Sequence, residues 1–137
     1  MIIANWKCNG NKQMICTWFE EFVKSYISKE SSYIGIAPPT IYLEYVKRII
    51  FEKSLEIKLG TQDLDAASGA MTGAISAEMI LDYECNFSIV GHSERRQYFN
   101  EKNSFIKEKI HKLIDVATPI LCVGETFEWC DDRCNFS

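Results

Sequence analysis

Short apolar runs alternate along this chain with longer segments in which apolar residues recur every three or four positions. Five runs have the length and β-branched character of strands: "MIIA" (1–4), "YIGIA" (33–37), "IKLGTQD" (57–63), "FSIVG" (87–91) and "PILCVG" (119–124). The segments between them predict helices that begin at Lys12, at Thr40 and at Ser76, and a fourth over residues 104–116. Apolar strands separated by helices pair in parallel with both sheet faces covered, so the pattern predicts an α/β fold.

Local signals refine two of these helices. The first helix carries one apolar stripe, which we expect to be core rather than a cofactor site: Ile15, Trp18, Phe19, Phe22, Val23 and Tyr26. Pro38 and Pro39 close the second strand, and Thr40 is then placed to cap the next helix. The apolar face of that second helix is Leu43, Val46, Ile49 and Ile50.

The predicted strands begin at residues 2, 33, 57, 87 and 119, so successive units are 24 to 32 residues long. This is the size of a repeating β-α unit, although no sequence repeat accompanies it. Two architectures fit: an open doubly wound sheet, or the first part of an eight-stranded barrel. In both, ligands bind beyond the carboxyl ends of the strands.

Polar residues collect at those carboxyl ends. They follow strands one, three, four and five: Asn5, Lys7, Gln62, Asp63, His92, Ser93 and Glu125. No P-loop and no GxGxxG motif is present, which weakens a nucleotide-binding interpretation and, with it, the doubly wound alternative.

The segment "GHSERR" after strand four makes the most specific prediction. Gly91 allows a sharp turn, and Ser93 can cap a short helix that begins with Glu94. His92 then lies near the positive end of that helix, which favours the neutral imidazole. Such a ring can donate a hydrogen bond to a carbonyl oxygen and accept a proton back.

Each candidate also has an ordinary structural explanation. His92 can simply satisfy a loop carbonyl, and Lys7 can be a surface lysine. The presence of Asn5 and Lys7 beyond another strand favours the catalytic interpretation of His92. His111 lies in an amphipathic helix and is expected to be structural. A further group is expected to form a solvated, mutually paired helix face: Arg95, Arg96, Glu101 and Lys102.

Charge and composition exclude some functional classes. The 137 residues are 47% hydrophobic and 25% charged, with a formal net charge of -4, which is typical of a globular protein and argues against nucleic-acid binding. No run is long enough for a transmembrane helix, and the first residues lack a signal peptide's apolar core.

Six cysteines show no CxxC pair and no Cys/His finger: Cys8, Cys16, Cys85, Cys122, Cys130 and Cys134. We expect reduced thiols in a cytoplasmic protein that binds neither membrane nor metal. Only Cys130 and Cys134 have metal-like spacing, and they lack partner ligands.

The chain resembles the triosephosphate isomerase family in four motifs that occur in the family's order and spacing. They are "NWKCNG" (5–10), "GAMTG" (69–73), "GHSERRQYFNE" (91–101) and "PILCVGET" (119–126). The resemblance implies a (β/α)8 TIM barrel and an isomerase of glycolysis and gluconeogenesis. That reaction interconverts dihydroxyacetone phosphate and glyceraldehyde 3-phosphate through an enediol, with no cofactor and no metal.

The resemblance also implies roles for individual residues. Lys7 binds the substrate and balances its negative charge, and Asn5 lines the site. His92 polarises the carbonyl and moves protons between the substrate oxygens, as in the family's known case of a histidine kept neutral by a helix N-terminus. Glu94 belongs to the catalytic set as the partner of Lys7, and Cys122 matches a buried structural cysteine.

A homodimer is a further implication. In the family, the loop after strand three inserts beside the first loop of a second subunit, which here places Cys8 and Thr72 at the interface. The corresponding loop, residues 66–75, carries small and apolar residues that a monomer leaves exposed. This chain has Ala74 where the family usually has a glutamate, so one intersubunit charge contact is not expected.

The resemblance covers only part of a barrel. The fold needs eight strands in about 250 residues, and five are predicted here. We therefore expect a partial barrel domain over residues 1–126 and a divergent tail over 127–137. The family's base glutamate after strand six and its phosphate-binding loops are not among these residues, and Glu128 is not expected to replace the base.

Three functional interpretations follow. The first is a triosephosphate isomerase subunit represented by an incomplete chain that is inactive alone. The second is a non-catalytic descendant that serves as a binding or assembly module. The third is another barrel enzyme that acts on a small phosphate ester.

Overall fold

The computed structural model describes residues 2–26 and 34–124 of the chain. Five strands and five α-helices follow in order: β1 (Ile2–Asn5), α1 (Lys12–Ser25), β2 (Ile34–Ala37), α2 (Leu43–Glu52), β3 (Ile57–Thr61), α3 (Ala77–Asp82), β4 (Phe87–Val90), α4 (Ser93–Tyr98), α5 (Asn103–Leu113) and β5 (Thr118–Leu121). All five predicted strands are present, with ends that agree with the prediction or differ from it by at most three residues. The predicted tail over residues 127–137, together with Glu125 and Glu128, lies outside the described residues.

The strands form one parallel sheet in the order β1-β2-β3-β4-β5. A doubly wound sheet reverses its strand order at a switch point, whereas strands of a barrel follow one another around the axis. The sequential order therefore excludes the doubly wound alternative. The chain forms a curled half-barrel with helices, which is the predicted truncated TIM barrel.

The main core lies between the sheet and the helices. Its fully buried side chains include Ile15 and Phe19 of α1, Ile36 of β2, Val46 of α2 and Leu113 of α5. The stripe predicted on α1 is therefore largely core, but Val23 is an exception, being 39% exposed.

A second, smaller cluster covers the inner face of the curled sheet. Ile3, Ala37, Ile89, Ile120 and Cys122 pack there around the ring of Phe87. The ring lies so close to the backbone of β2 and β3 that a Cβ added to Gly35 would stand 2.8 Å from it, and one added to Gly60 closer still. Two glycines thus make room for one aromatic ring.

The first and third helices begin within one residue of the predicted positions, whereas the two predicted caps, Thr40 and Ser93, are wrong. Asn11 caps α1 by accepting a hydrogen bond from the Met14 amide, and Ser76 caps α3 in the same way. Thr40 does not cap α2: it begins a 3-10 turn, Thr40–Tyr42, after Pro39, and α2 follows that turn. Ser93 lies inside α4, and the cap is His92.

The two outer strands each pair with a single neighbour among the described residues. Large apolar side chains are exposed on them or just beyond: Ile2, Leu121 and Val123. No helix within residues 2–26 and 34–124 has the length and apolar character needed to cross a bilayer.

Candidate active site

The last residue of β1 holds the segment after it in a tight turn. The Asn5 side-chain oxygen accepts a hydrogen bond of 2.9 Å from the Lys7 backbone amide, two residues later, as is common for asparagine in turns. Lys7 adopts a left-handed backbone conformation with φ of 52°. This conformation is unusual for a residue with a side chain and persists where surrounding contacts hold it.

Gln62, the first residue beyond β3, provides such a contact. Its side-chain amide donates to the carbonyl oxygen of Lys7 at 2.8 Å and to that of Ala37 at 2.9 Å. The amide therefore joins the ends of β1, β2 and β3. Its position beyond a strand was visible in the sequence, but its partner was not.

Glu94, in the first turn of α4, meets the ammonium group of Lys7. The Lys7 Nζ donates to Glu94 Oε1 at 2.7 Å, and both side chains are about half exposed. This hydrogen bond, more than the accompanying charge attraction, lowers the pKa of Glu94, while its partial desolvation acts in the opposite direction. Glu94 is thus a carboxylate at neutral pH.

His92 reaches the same carboxylate from the end of β4. Gly91 makes the turn possible with φ of 69°, and the ring Nδ1 of His92 accepts a hydrogen bond of 3.2 Å from the Glu94 amide. The Glu94 carboxylate lies 3.4 Å from the same Nδ1, but an atom that accepts from the amide has no proton to donate. The ring proton of this neutral tautomer is therefore on Nε2.

The structure thus brings Asn5, Lys7, His92 and Glu94 together at the carboxyl ends of the strands. The other residues predicted for the site or the dimer interface lie outside this group. Cys8 and Thr72 are exposed, as is the loop from residue 67 to 73. Cys122 is half-buried on the inner face beside Ile120, where burial raises the pKa of its thiol.

Asp63 does not face this site. Its carboxylate contacts Lys109 Nζ of α5 at 2.7 Å and 2.8 Å and Arg95 Nε at 2.7 Å. Glu101 Oε1 accepts from the same two cations, each at 2.7 Å. We call Asp63, Arg95, Glu101 and Lys109 the ion network.

The prediction of a solvated helix face was therefore wrong for part of that group. Arg95 and Glu101 do pair, but the Glu101 side chain is only 4% exposed, and its carboxylate also contacts Lys109 of α5. Arg96 instead donates to the Gly91 carbonyl at 2.8 Å. Lys109 was missed, although its position three residues after Ile106 and four before Leu113 places it on the apolar stripe of α5. A lysine there implies a buried acidic partner.

The site offers hydrogen-bond donors and an anion-binding charge rather than metal ligands. Within the described part of the chain, no three His, Cys, Asp or Glu residues cluster as metal ligands do. A lysine ammonium and an imidazole Nε2–H, on either side of one carboxylate, suit a small anionic substrate with a carbonyl oxygen.

Comparison with known proteins agrees with this geometry. The family model for triosephosphate isomerase matches residues 1–135. The chain belongs to the triosephosphate isomerase family. The match confirms the family prediction made from the four motifs.

Curated triosephosphate isomerases are similar over nearly all of this chain. The protein from Buchnera aphidicola subsp. Acyrthosiphon pisum is 46% identical over 130 residues, covering 91% of this chain and 49% of the relative. That from Buchnera aphidicola subsp. Baizongia pistaciae is 43% identical over 131 residues, covering 92% and 51%. The Vibrio parahaemolyticus protein is 38% identical over 128 residues, covering 92% and 50%. The chain therefore spans about half the length of the curated relatives it matches.

Proposed function

We propose that this chain supplies the amino-terminal half of a triosephosphate isomerase active site. That site interconverts dihydroxyacetone phosphate and D-glyceraldehyde 3-phosphate in glycolysis and gluconeogenesis, in the cytoplasm. The observation that carries the proposal is the position of Glu94, whose carboxylate binds the Lys7 ammonium and whose backbone amide donates to His92. Glu94 therefore joins Lys7, from the end of β1, to the segment of His92, from the end of β4.

Each residue takes a role that its contacts support. The Lys7 ammonium attracts the substrate's negative charge, with Asn5 holding the turn that presents it. The His92 Nε2–H donates to the substrate carbonyl oxygen, which lowers the cost of the negative charge that develops as the enediol forms. The ring then carries a proton from one substrate oxygen to the other. Glu94 orients Lys7 and, through its amide, sets the His92 tautomer.

The chain alone is inactive in this proposal. Enediol formation requires a base to remove a carbon-bound proton, and the family's base glutamate and phosphate-binding loops belong to later strands than the five described here. The polar groups of this half polarise the carbonyl but leave the proton in place.

The proposal is tested by measuring isomerisation of glyceraldehyde 3-phosphate with and without a carboxyl-terminal half. The purified chain is mixed with a polypeptide that comprises the second half of the Buchnera relative from Acyrthosiphon pisum. We expect no turnover above the buffer control for either half alone, and turnover for the mixture. The mixture should lose that turnover when His92→Ala replaces the unmodified chain, whereas His111→Ala, on the exposed face of α5, should retain it. Turnover by the chain alone, or equal turnover with His92→Ala, would refute the assignment.

A homodimer is part of the same proposal. The small and apolar loop from residue 67 to 73 is exposed in the monomer, with Met71 at 51%, and Cys8 and Thr72 lie on exposed loops that a second subunit would cover. Sedimentation of the complemented enzyme at micromolar concentration tests this, and a monomer would contradict it.

A second candidate is a non-catalytic binding or assembly module. It is supported by the exposed apolar residues at the two outer strands, Ile2, Leu121 and Val123. Tight association with the second half, without turnover, would favour this function over the first.

A further inference from the structure

The ion network lies directly behind the candidate active site. Lys109 has no exposed side-chain area, and its ammonium bridges the carboxylates of Asp63 and Glu101. Arg95 bridges the same two carboxylates from α4. Two cations and two anions thus form one closed, charge-balanced group that connects the ends of β3 and β4 to α5.

Two members of the network are chain neighbours of the residues that hold Lys7. Asp63 follows Gln62, whose side-chain amide binds the Lys7 carbonyl at 2.8 Å. Arg95 follows Glu94, whose carboxylate binds the Lys7 ammonium at 2.7 Å. In each pair, one side chain faces Lys7 and the next faces the network. Fixing Asp63 against Arg95 therefore fixes Gln62 relative to Glu94.

Stability alone does not account for this arrangement. Buried ion groups are often no more stabilising than apolar side chains of similar volume, because desolvation offsets the attraction. Here one oxygen, Glu101 Oε2, is buried without a hydrogen-bond partner among the described residues, which adds to the cost. A role in positioning is consistent with a costly but geometrically defined group.

We propose that the ion network positions Lys7, with Asp63 and Lys109 acting as positioning residues through Gln62 and Glu94. The network fixes the distance between Gln62, which binds the Lys7 carbonyl, and Glu94, which binds the Lys7 ammonium. This fixed distance maintains the left-handed backbone of Lys7. The importance of Lys7 for substrate rests on the proposed function. The geometry of Lys7 in the free chain does not depend on that function, so an experiment can refute either proposal without refuting the other.

The test follows Lys7 by NMR in the chain without substrate. The unmodified chain should show the 13Cα and 13Cβ shifts and the amide coupling of a left-handed residue. Asp63→Asn, which keeps the shape but removes one charge, should shift these signals toward averaged values. Lys109→Met combined with Asp63→Asn keeps the charge balance, leaves the Arg95 and Glu101 pair, and should abolish the left-handed signature.

A matched control separates positioning from general loss of stability. Lys47 is also an ion-paired lysine, bonded to the Tyr83 carbonyl at 2.8 Å and to Glu84 at 3.2 Å, but its partners follow α3 and do not belong to the ion network. Lys47→Met should leave the Lys7 signals unchanged. The titration midpoint of Glu94 provides a second measurement, and it should rise in the network variants but not in Lys47→Met.

Unchanged Lys7 signals in a folded network variant would overturn the proposal, as would an equal change in Lys47→Met. If the double variant does not fold, Asp63→Asn decides the matter alone. Turnover in the complementation assay does not enter this test, so an inactive mixture leaves it intact.

Discussion

The ammonium group of Lys7 lies 2.7 Å from the carboxylate of Glu94, although 87 residues separate the two along the chain. The sheet makes this contact possible, since β1 and β4 run parallel and end at the same edge. Because Lys7 is the substrate-binding lysine of the proposed function, the contact also links the fold to the proposed chemistry. Its consequences can be measured in the chain by itself.

The first prediction concerns the pH dependence of this contact. The hydrogen bond from Lys7, helped by the positive charge of that group and opposed by desolvation, holds the pKa of Glu94 below its ordinary value of 4.5. Because the carboxyl pKa is lowered in the folded state, the Lys7–Glu94 contact stabilises the fold fully above pH 4.5. This stabilisation is lost as pH falls through the folded-state pKa of Glu94. NMR titration of the Glu94 13Cδ should therefore give a midpoint below 4.5. In Lys7→Met the midpoint should rise, and an unchanged midpoint would show that the contact does not form.

The second prediction concerns the backbone of Lys7. Its φ of 52° costs about 1 kcal/mol for a residue with a Cβ and little for glycine. Lys7→Ala and Lys7→Gly both remove the ammonium, so their difference isolates the backbone. We expect Lys7→Gly to be more stable by up to about 1 kcal/mol in urea denaturation. The same pair of substitutions at Lys12, in the helical conformation, should show the opposite order. Greater stability of Lys7→Ala would contradict the observed turn.

The third prediction concerns the contact between Gly60 and Phe87. A methyl group on Gly60 would overlap the aromatic ring, which is itself enclosed by Ile3 and Gly35. Gly60→Ala should lower the free energy of unfolding by about 1–3 kcal/mol, the usual cost of overpacking.

Gly124→Ala serves as the control for this substitution. No described atom lies within 4 Å of a Cβ there, and we expect a change within about 0.5 kcal/mol. Combining Gly60→Ala with Phe87→Leu should recover part of the loss. If Gly60→Ala were as stable as the unmodified chain, the inner face would not be packed around this ring.

The fourth prediction compares two helix starts. Asn11 accepts a hydrogen bond from the Met14 amide, so Asn11→Ala should cost about 1 kcal/mol. Thr40 makes no capping bond at the start of its turn, and Thr40→Ala should change stability by less than about 0.5 kcal/mol. Thermal unfolding followed by circular dichroism measures both. A larger loss at Thr40 than at Asn11 would contradict these assignments.

The sequence by itself determined the fold class, the five strands and the residues at their carboxyl ends. These follow from local signals: apolar periodicity, glycine and proline positions, and the polar residues that follow each apolar run. The family followed from motif order in the same way. Asn5, Lys7 and His92 could be named because they stand at or just after the ends of predicted strands, and Glu94 through the family resemblance.

Only the tertiary structure decided how these residues meet. Strand order separated the half-barrel from the doubly wound sheet, because pairing between distant strands leaves no local sequence signal. The hydrogen bond from Gln62 to Lys7 and the contact between Asp63 and Lys109 depend in the same way on segments far apart in the chain. His92 displaced Ser93 as the cap for a finer reason: both side chains can accept from a nearby amide, and only the turn at Gly91 determines which one reaches it.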